Sequence, residues 1–99
     1  MSYQLLYAPP GHDDPKHRWG QPHSEHETLV EAMACAGHPD PAHWHTAVAL
    51  DDAVFIDWVH YFDPAKEYED TEYLMPRWVI EAPGVSAEFT DLVTASVTR

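Results

Sequence analysis

The chain has 99 residues, 17 of them acidic against five Lys plus Arg, for a formal charge of −12. That length suits one domain with one core, and four tryptophans with an ample apolar fraction argue against a disordered tail. A charge of this sign excludes direct binding to nucleic acid or to an anionic membrane, both of which need a basic face, and suits a basic protein partner.

In chain order, "SYQLLYA" (Ser2 to Ala8) alternates Tyr3, Leu5 and Tyr7 and reads as a first strand, ended by Pro9, Pro10 and Gly11. Residues 9–23 then read as a polar, histidine-rich loop. The segment "SEHETLVEAMACAG" predicts a helix, with Ser24 as N-cap and Glu27 completing a capping box. Leu29, Val30, Met33 and Ala34 form its apolar stripe, Gly37 suits a left-handed terminus, and Pro39 stops continuation. "HTAVAL" and "AVFIDWVHYF" flank Asp51 and Asp52 and predict a β-hairpin. Asp63 and Pro64 allow a short acidic helix. "RWVIEA" (Arg77 to Ala82) reads as a further strand, closed by Pro83 and Gly84. The last segment suits a helix capped by Ser86, with Phe89, Leu92, Val93 and Val97 on one face, over a competing strand pattern in Val93, Ala95 and Val97. The sum, β-α-β-β-(α)-β-α, is an α+β domain: a mostly antiparallel sheet of about four strands with one or two helices on one face.

No motif names an activity. Cys35 is the only cysteine, so no intramolecular disulfide forms, and a reducing compartment is expected. The start "MSYQLLYAPPGHDD" lacks the basic flank and apolar run of a signal peptide, and no apolar stretch reaches the roughly 18 residues of a membrane span. Together these lead us to expect a cytoplasmic protein.

Three chemistries compete. Imidazoles ligate zinc or nickel, and seven of the eight histidines lie between His12 and His45. His23 and His26 share a side of the expected helical turn, and His43 and His45 would share a face in a strand. Their spacing matches no established signature, and a GC-rich coding bias accounts for many histidines: asparagine is absent, and Lys and Ile occur twice each. A hydrolytic site built from Asp57, His60 and Asp63 is the enzyme alternative. Cys35 is a poor nucleophile, since a helix C-terminus disfavours a thiolate, and it reads as a small, partly buried side chain.

The third chemistry is recognition. From Asp51 to Glu72, eight carboxylates accompany one lysine and are interleaved with aromatic residues. Carboxylates on a rigid frame imitate phosphates, and aromatics supply anchors at low entropic cost. The leading expectation is therefore a non-enzymatic protein that binds and blocks a basic surface. Inhibitors, antitoxins and phage-encoded modulators of nucleic-acid-binding proteins or toxins share this size and charge. The expected contacts are Asp57, Asp63, Glu67, Glu69, Asp70 and Glu72, with Trp58 and Tyr68 as anchors. No cofactor is required on this reading, and an unpaired edge strand would permit a homodimer.

Overall fold

A computed structural model describes residues 2–7, 21–62 and 72–97, with backbone alone for 60–62 and 72–75. Its strands are β1 (Tyr3–Tyr7), β2 (Gln21–His26), β3 (Val48–Leu50), β4 (Ala53–Phe62) and β5 (Glu72–Glu81). The helices are α1 (Leu29–Cys35) and α2 (Val85–Val97), and a 3-10 helix spans Pro41–Thr46. The five strands form one sheet in the order β2-β1-β5-β4-β3, and every pairing is antiparallel. This is the expected α+β class, with one more strand than expected.

The helices share one face of the sheet. Tyr3, Leu5, Val54, Ile56, Ile80 and Ala82 point to it and are buried against Leu29, Ala32 and Met33 of α1, Trp44 of the 3-10 helix, and Val85 and Phe89 of α2. Full burial of a side chain such as Leu29 or Met33 contributes roughly 1.5–3 kcal/mol. Trp44 is the largest of these fully buried side chains. Its ring stacks on Phe89 (5.6 Å between centroids, 11° between planes), and its indole N–H donates to the His38 carbonyl at 2.8 Å. The opposite face carries a smaller buried cluster, whose described members are Leu6, Ala53, Phe55 and Val79 of the strands.

The helix α1 begins later than expected. Ser24 lies in β2 rather than at a helix start, and Gln21 to His23, assigned above to the loop, belong to the same strand. The N-cap is Thr28, whose hydroxyl accepts from the Glu31 N–H at 3.1 Å. "TLVE" offers the same capping spacing as "SEHE", four residues on. Pairing decides between them: Ser24 and His26 lie opposite Leu5 and Tyr3, so β2 completes the sheet edge. The buried stripe is accordingly Leu29, Ala32, Met33 and Ala36, while Val30 and Ala34 are exposed. Gly37 ends the helix as expected, at φ +96°. The His38 N–H bonds the Met33 carbonyl and the Gly37 N–H bonds the Ala34 carbonyl, the paired bonds of a Schellman terminus.

The hairpin turns on Asp51 and Asp52, as the sequence indicates, with Leu50 opposite Ala53. Asp51 is left-handed at φ +55°. The final segment is helical, with Val85 and Phe89 buried and Leu92 and Val93 half-buried; Val97, expected on the same face, is exposed. His43 and His45 lie in the 3-10 helix, not in a strand. The short helix expected after Asp63 falls outside the described residues. No helix among the described residues is long and apolar enough to cross a membrane.

Candidate functional site

The sheet register builds a surface that no single segment contains. Glu25 lies opposite Gln4, Gln4 opposite Glu81, Glu81 opposite Ala53, and Ala53 opposite Leu50. These five residues form one row across the face away from the helices, because cross-strand partners project to the same side. The next row on that face is Pro22, Leu6, Val79, Phe55 and Val48. A charged row thus runs beside an apolar one.

An open cleft of about 570 Å³ lies over the charged row. Glu25, Asp51, Asp52 and Glu81 line it with Gln4, Ser2, Leu50 and Phe55, and none of the described residues that border it is a lysine or arginine. Asp51 and Asp52 hold this position through bonds to the start of α2. The Asp52 carboxylate accepts from the Gly84 N–H at 3.0 Å, and its carbonyl accepts from the Ala82 N–H at 3.1 Å. The Asp51 carbonyl accepts from the Ser86 hydroxyl. Asp-Asp is a poorer hairpin turn than Asp-Gly, but the Asp52 side chain caps a helix that a glycine would leave uncapped. Ser86, expected to be that cap, bonds the turn instead.

A second polar contact joins the turn that follows α1 to β4. The Asp57 carboxylate and His38 Nε2 are 2.7 Å apart, both partly exposed. Asp57 adopts φ +58° in mid-strand, and the β4–β5 ladder skips Asp57 and Arg77 while keeping its register on either side. Aspartate tolerates this region better than most residues, because its short polar side chain bonds locally. Regular alternation would place Trp58 on the helix face with Ile56. Its ring instead lies 6.0 Å from that of Phe55, on the other face. The left-handed residue therefore resets the alternation and delivers Trp58 to the open side.

The third cluster surrounds Ser24. Its hydroxyl is 2.7 Å from His26 Nε2, 3.1 Å from His23 Nδ1 and 3.9 Å from the Cys35 sulfur. A register shift in the β1–β2 ladder makes His23 an extra residue, and this lets it turn to the helix face, where it packs edge-on against Trp78 at 5.1 Å. A regular strand would send residues three apart to opposite faces. Cys35 is exposed rather than partly buried. The structure thus brings His23 and His26 onto one hydroxyl, while His43 and His45 stand exposed on the 3-10 helix. Among the described residues, no group of three or more His, Cys, Asp or Glu is placed to hold a metal ion.

Tyr3 links β1 to α2 by donating its hydroxyl to Glu88. That hydrogen bond, then burial and the Glu88 charge, raise the Tyr3 pKa above its usual 10.0.

Of the contacts expected from sequence, Asp57 has its carboxylate engaged by His38, and Trp58 is exposed as an anchor requires. Asp63, Glu67, Tyr68, Glu69 and Asp70 lie outside the described residues; Glu72 begins β5, and its side chain is also outside the description. The same holds for the side chain of His60 and for Asp63 of the enzyme alternative. Sequence reading missed Glu25 and Glu81. They are 56 positions apart, and only the pairing of both strands with β1 reveals them as neighbours of Gln4. No protein-family model, curated protein or solved structure matches the chain, so the site is read from its own residues.

Proposed function

We propose that this chain is a small, non-enzymatic, cytoplasmic interaction protein that binds and blocks a basic surface of another protein, such as a nucleic-acid-binding protein or a toxin. One observation carries the reading: four carboxylates from β2, the β3–β4 turn and β5 converge on an open cleft, with no lysine or arginine among the described residues that line it. Such a surface raises the association rate with a basic partner and disfavours acidic ones. The net charge of −12 extends the same field over the whole molecule. This reading moves the contact from the Asp57–Glu72 segment to the sheet face, with Trp58 common to both.

The test begins with the tagged protein purified from its native host together with what co-elutes. Glu25→Lys with Glu81→Lys should lower the association rate about tenfold or more at low salt and flatten its salt dependence. Reversal of Glu67, Glu69, Asp70 and Glu72 serves as the matched control. A rate unchanged by the first pair and lowered by the second would return the contact to the acidic segment.

A second reading, a bound divalent metal such as zinc or nickel, is favoured by the placement of His23 and His26 on one hydroxyl. Added metal should then raise the melting temperature and EDTA lower it, and His23→Ala should abolish both effects. Identical melts under all conditions would remove this reading.

A further inference from the structure

We infer that the contact between His38 and Asp57 is a proton-gated latch. With His38 charged it holds Asp57 left-handed and Trp58 on the open face; with His38 neutral it yields to a rival pairing of Asp57 with Arg77. The inference rests on the proposed function only for the part Trp58 plays as an anchor, since the latch itself is defined by where Trp58 lies.

His38 is the fixed half of the pair. Its N–H donates to the Met33 carbonyl at 2.8 Å and its carbonyl accepts from the Trp44 indole at 2.8 Å, so both backbone groups are tied to core residues. The imidazole is left partly exposed, with Nε2 2.7 Å from the Asp57 carboxylate. Asp57 is the half that must bend. A left-handed residue bearing a Cβ in mid-strand is costly and persists only where its surroundings hold it. Among the described residues, Asp57 has one side-chain bond to hold it, the one to His38.

The ladder supplies the rival. It pairs Ile56 with Trp78 and Trp58 with Pro76, which places Arg77 opposite Asp57. Cross-strand partners in extended conformation project to the same side. Extended backbone at Asp57 would therefore set its carboxylate beside the Arg77 guanidinium, which is exposed and makes no ion pair among the described residues. It would also restore the alternation and turn Trp58 away from Phe55, whose ring centroid lies 6.0 Å from that of Trp58 in the latched form. The backbone of one residue thus decides which face Trp58 takes.

Arginine stays charged throughout, whereas an imidazole changes charge between about pH 5 and 8. A charged imidazole binds a carboxylate more strongly than a neutral one. Mild acid therefore favours the His38 arrangement and mild alkali the Arg77 one. The titratable groups of the elements around His38 are otherwise placed. Asp40 accepts from the Ala42 N–H, His43 and His45 are exposed on the 3-10 helix, Glu31 is exposed on α1, and Cys35 lies beside Ser24. On α2, Glu88 is bonded to Tyr3 and Asp91 is exposed.

NMR on the intact protein tests the latch. NOEs between the Trp58 indole and the Phe55 ring report the latched form, and the His38 ring protons report its charge. From about pH 5 to 8 the latched form should lose population about fivefold or more relative to the other, the margin between a charge-assisted and a neutral hydrogen bond. The change should follow the His38 titration. His38→Gln should make the NOEs independent of pH, and Arg77→Gln, a surface change, should keep them strong in mild alkali. NOEs constant with pH in the wild type, or a pH response that survives His38→Gln, would overturn the latch. So would an Arg77→Gln variant that releases Trp58 as readily as the wild type, a result that holds even where His38→Gln fails to fold. None of these readouts involves a partner, so the proposed function and the latch can each fail without the other.

Discussion

The two faces of one sheet have been put to different uses. On the helix side, Leu5, Val54 and Ile80 are sealed beneath α1, Trp44 and α2, and few polar groups intrude. On the other side, residues adjacent to these in the same strands (Gln4, Ala53, Glu81) form a row in which carboxylates border an open cleft. Strand periodicity makes this division possible, because each residue's neighbour in sequence belongs to the other face. Stability and recognition can therefore vary almost independently within the same strands, except at the Asp51–Asp52 turn, which serves both.

Substitutions at either face should separate the two roles. Trp44→Ala on the sealed side should cost the most, about 3–5 kcal/mol, since it opens a cavity beside Phe89 and leaves the His38 carbonyl without its donor. Chemical denaturation measures this directly. Asp52→Ala, at the place the faces share, should cost about 1–2 kcal/mol through loss of the α2 cap. It should also slow partner association, and a variant that lost stability alone would show that Asp52 takes no part in recognition.

Tyr3→Phe should cost about 1 kcal/mol at neutral pH. The Tyr3 hydroxyl has a folded pKa above its unfolded value of 10.0. Its contribution is therefore complete below that unfolded value and is lost as pH rises through the folded pKa. The gap between wild type and Tyr3→Phe should accordingly close in strong alkali, as denaturation midpoints measured across that range would show. Smallest of all, Leu50→Gln at the rim of the cleft should change stability by less than about 0.5 kcal/mol, because that side chain is 60 % exposed. A large loss of stability there would mean that the open face is part of the core.

How much of this was legible beforehand depended on which interactions shape each element. The β3–β4 hairpin and the Gly37 terminus announce themselves locally, through a turn and a left-handed glycine, and α2 does so through a stripe at Phe89, Leu92 and Val93 that competes with a strand alternation in Val93, Ala95 and Val97. β2 does not. Its residues are Gln, Pro, His, Ser, Glu and His, with no apolar alternation, because an edge strand facing the helices through His23, Ser24 and His26 needs none. Two capping boxes four residues apart then made "SEHE" look like a helix start, and only pairing with Tyr3 and Leu5 decides otherwise. The open cleft was hidden for the same reason. Local density of charge drew attention to Asp57–Glu72, whereas Glu25, Asp51, Asp52 and Glu81 become neighbours only through a sheet order and register that no local pattern encodes. Trp58 was legible as an anchor, but its route to the open face passes through the left-handed Asp57, which alternation does not anticipate.

The most direct measurement is a backbone-amide NMR titration of the intact protein with an oligolysine peptide, the simplest stand-in for a basic surface. The account predicts that the largest shifts fall on Gln4, Glu25, Glu81 and the stretch from Val48 to Phe55, with α1 and the outer side of α2 undisturbed. Shifts concentrated on the helices, or confined to residues 63–72, would contradict it.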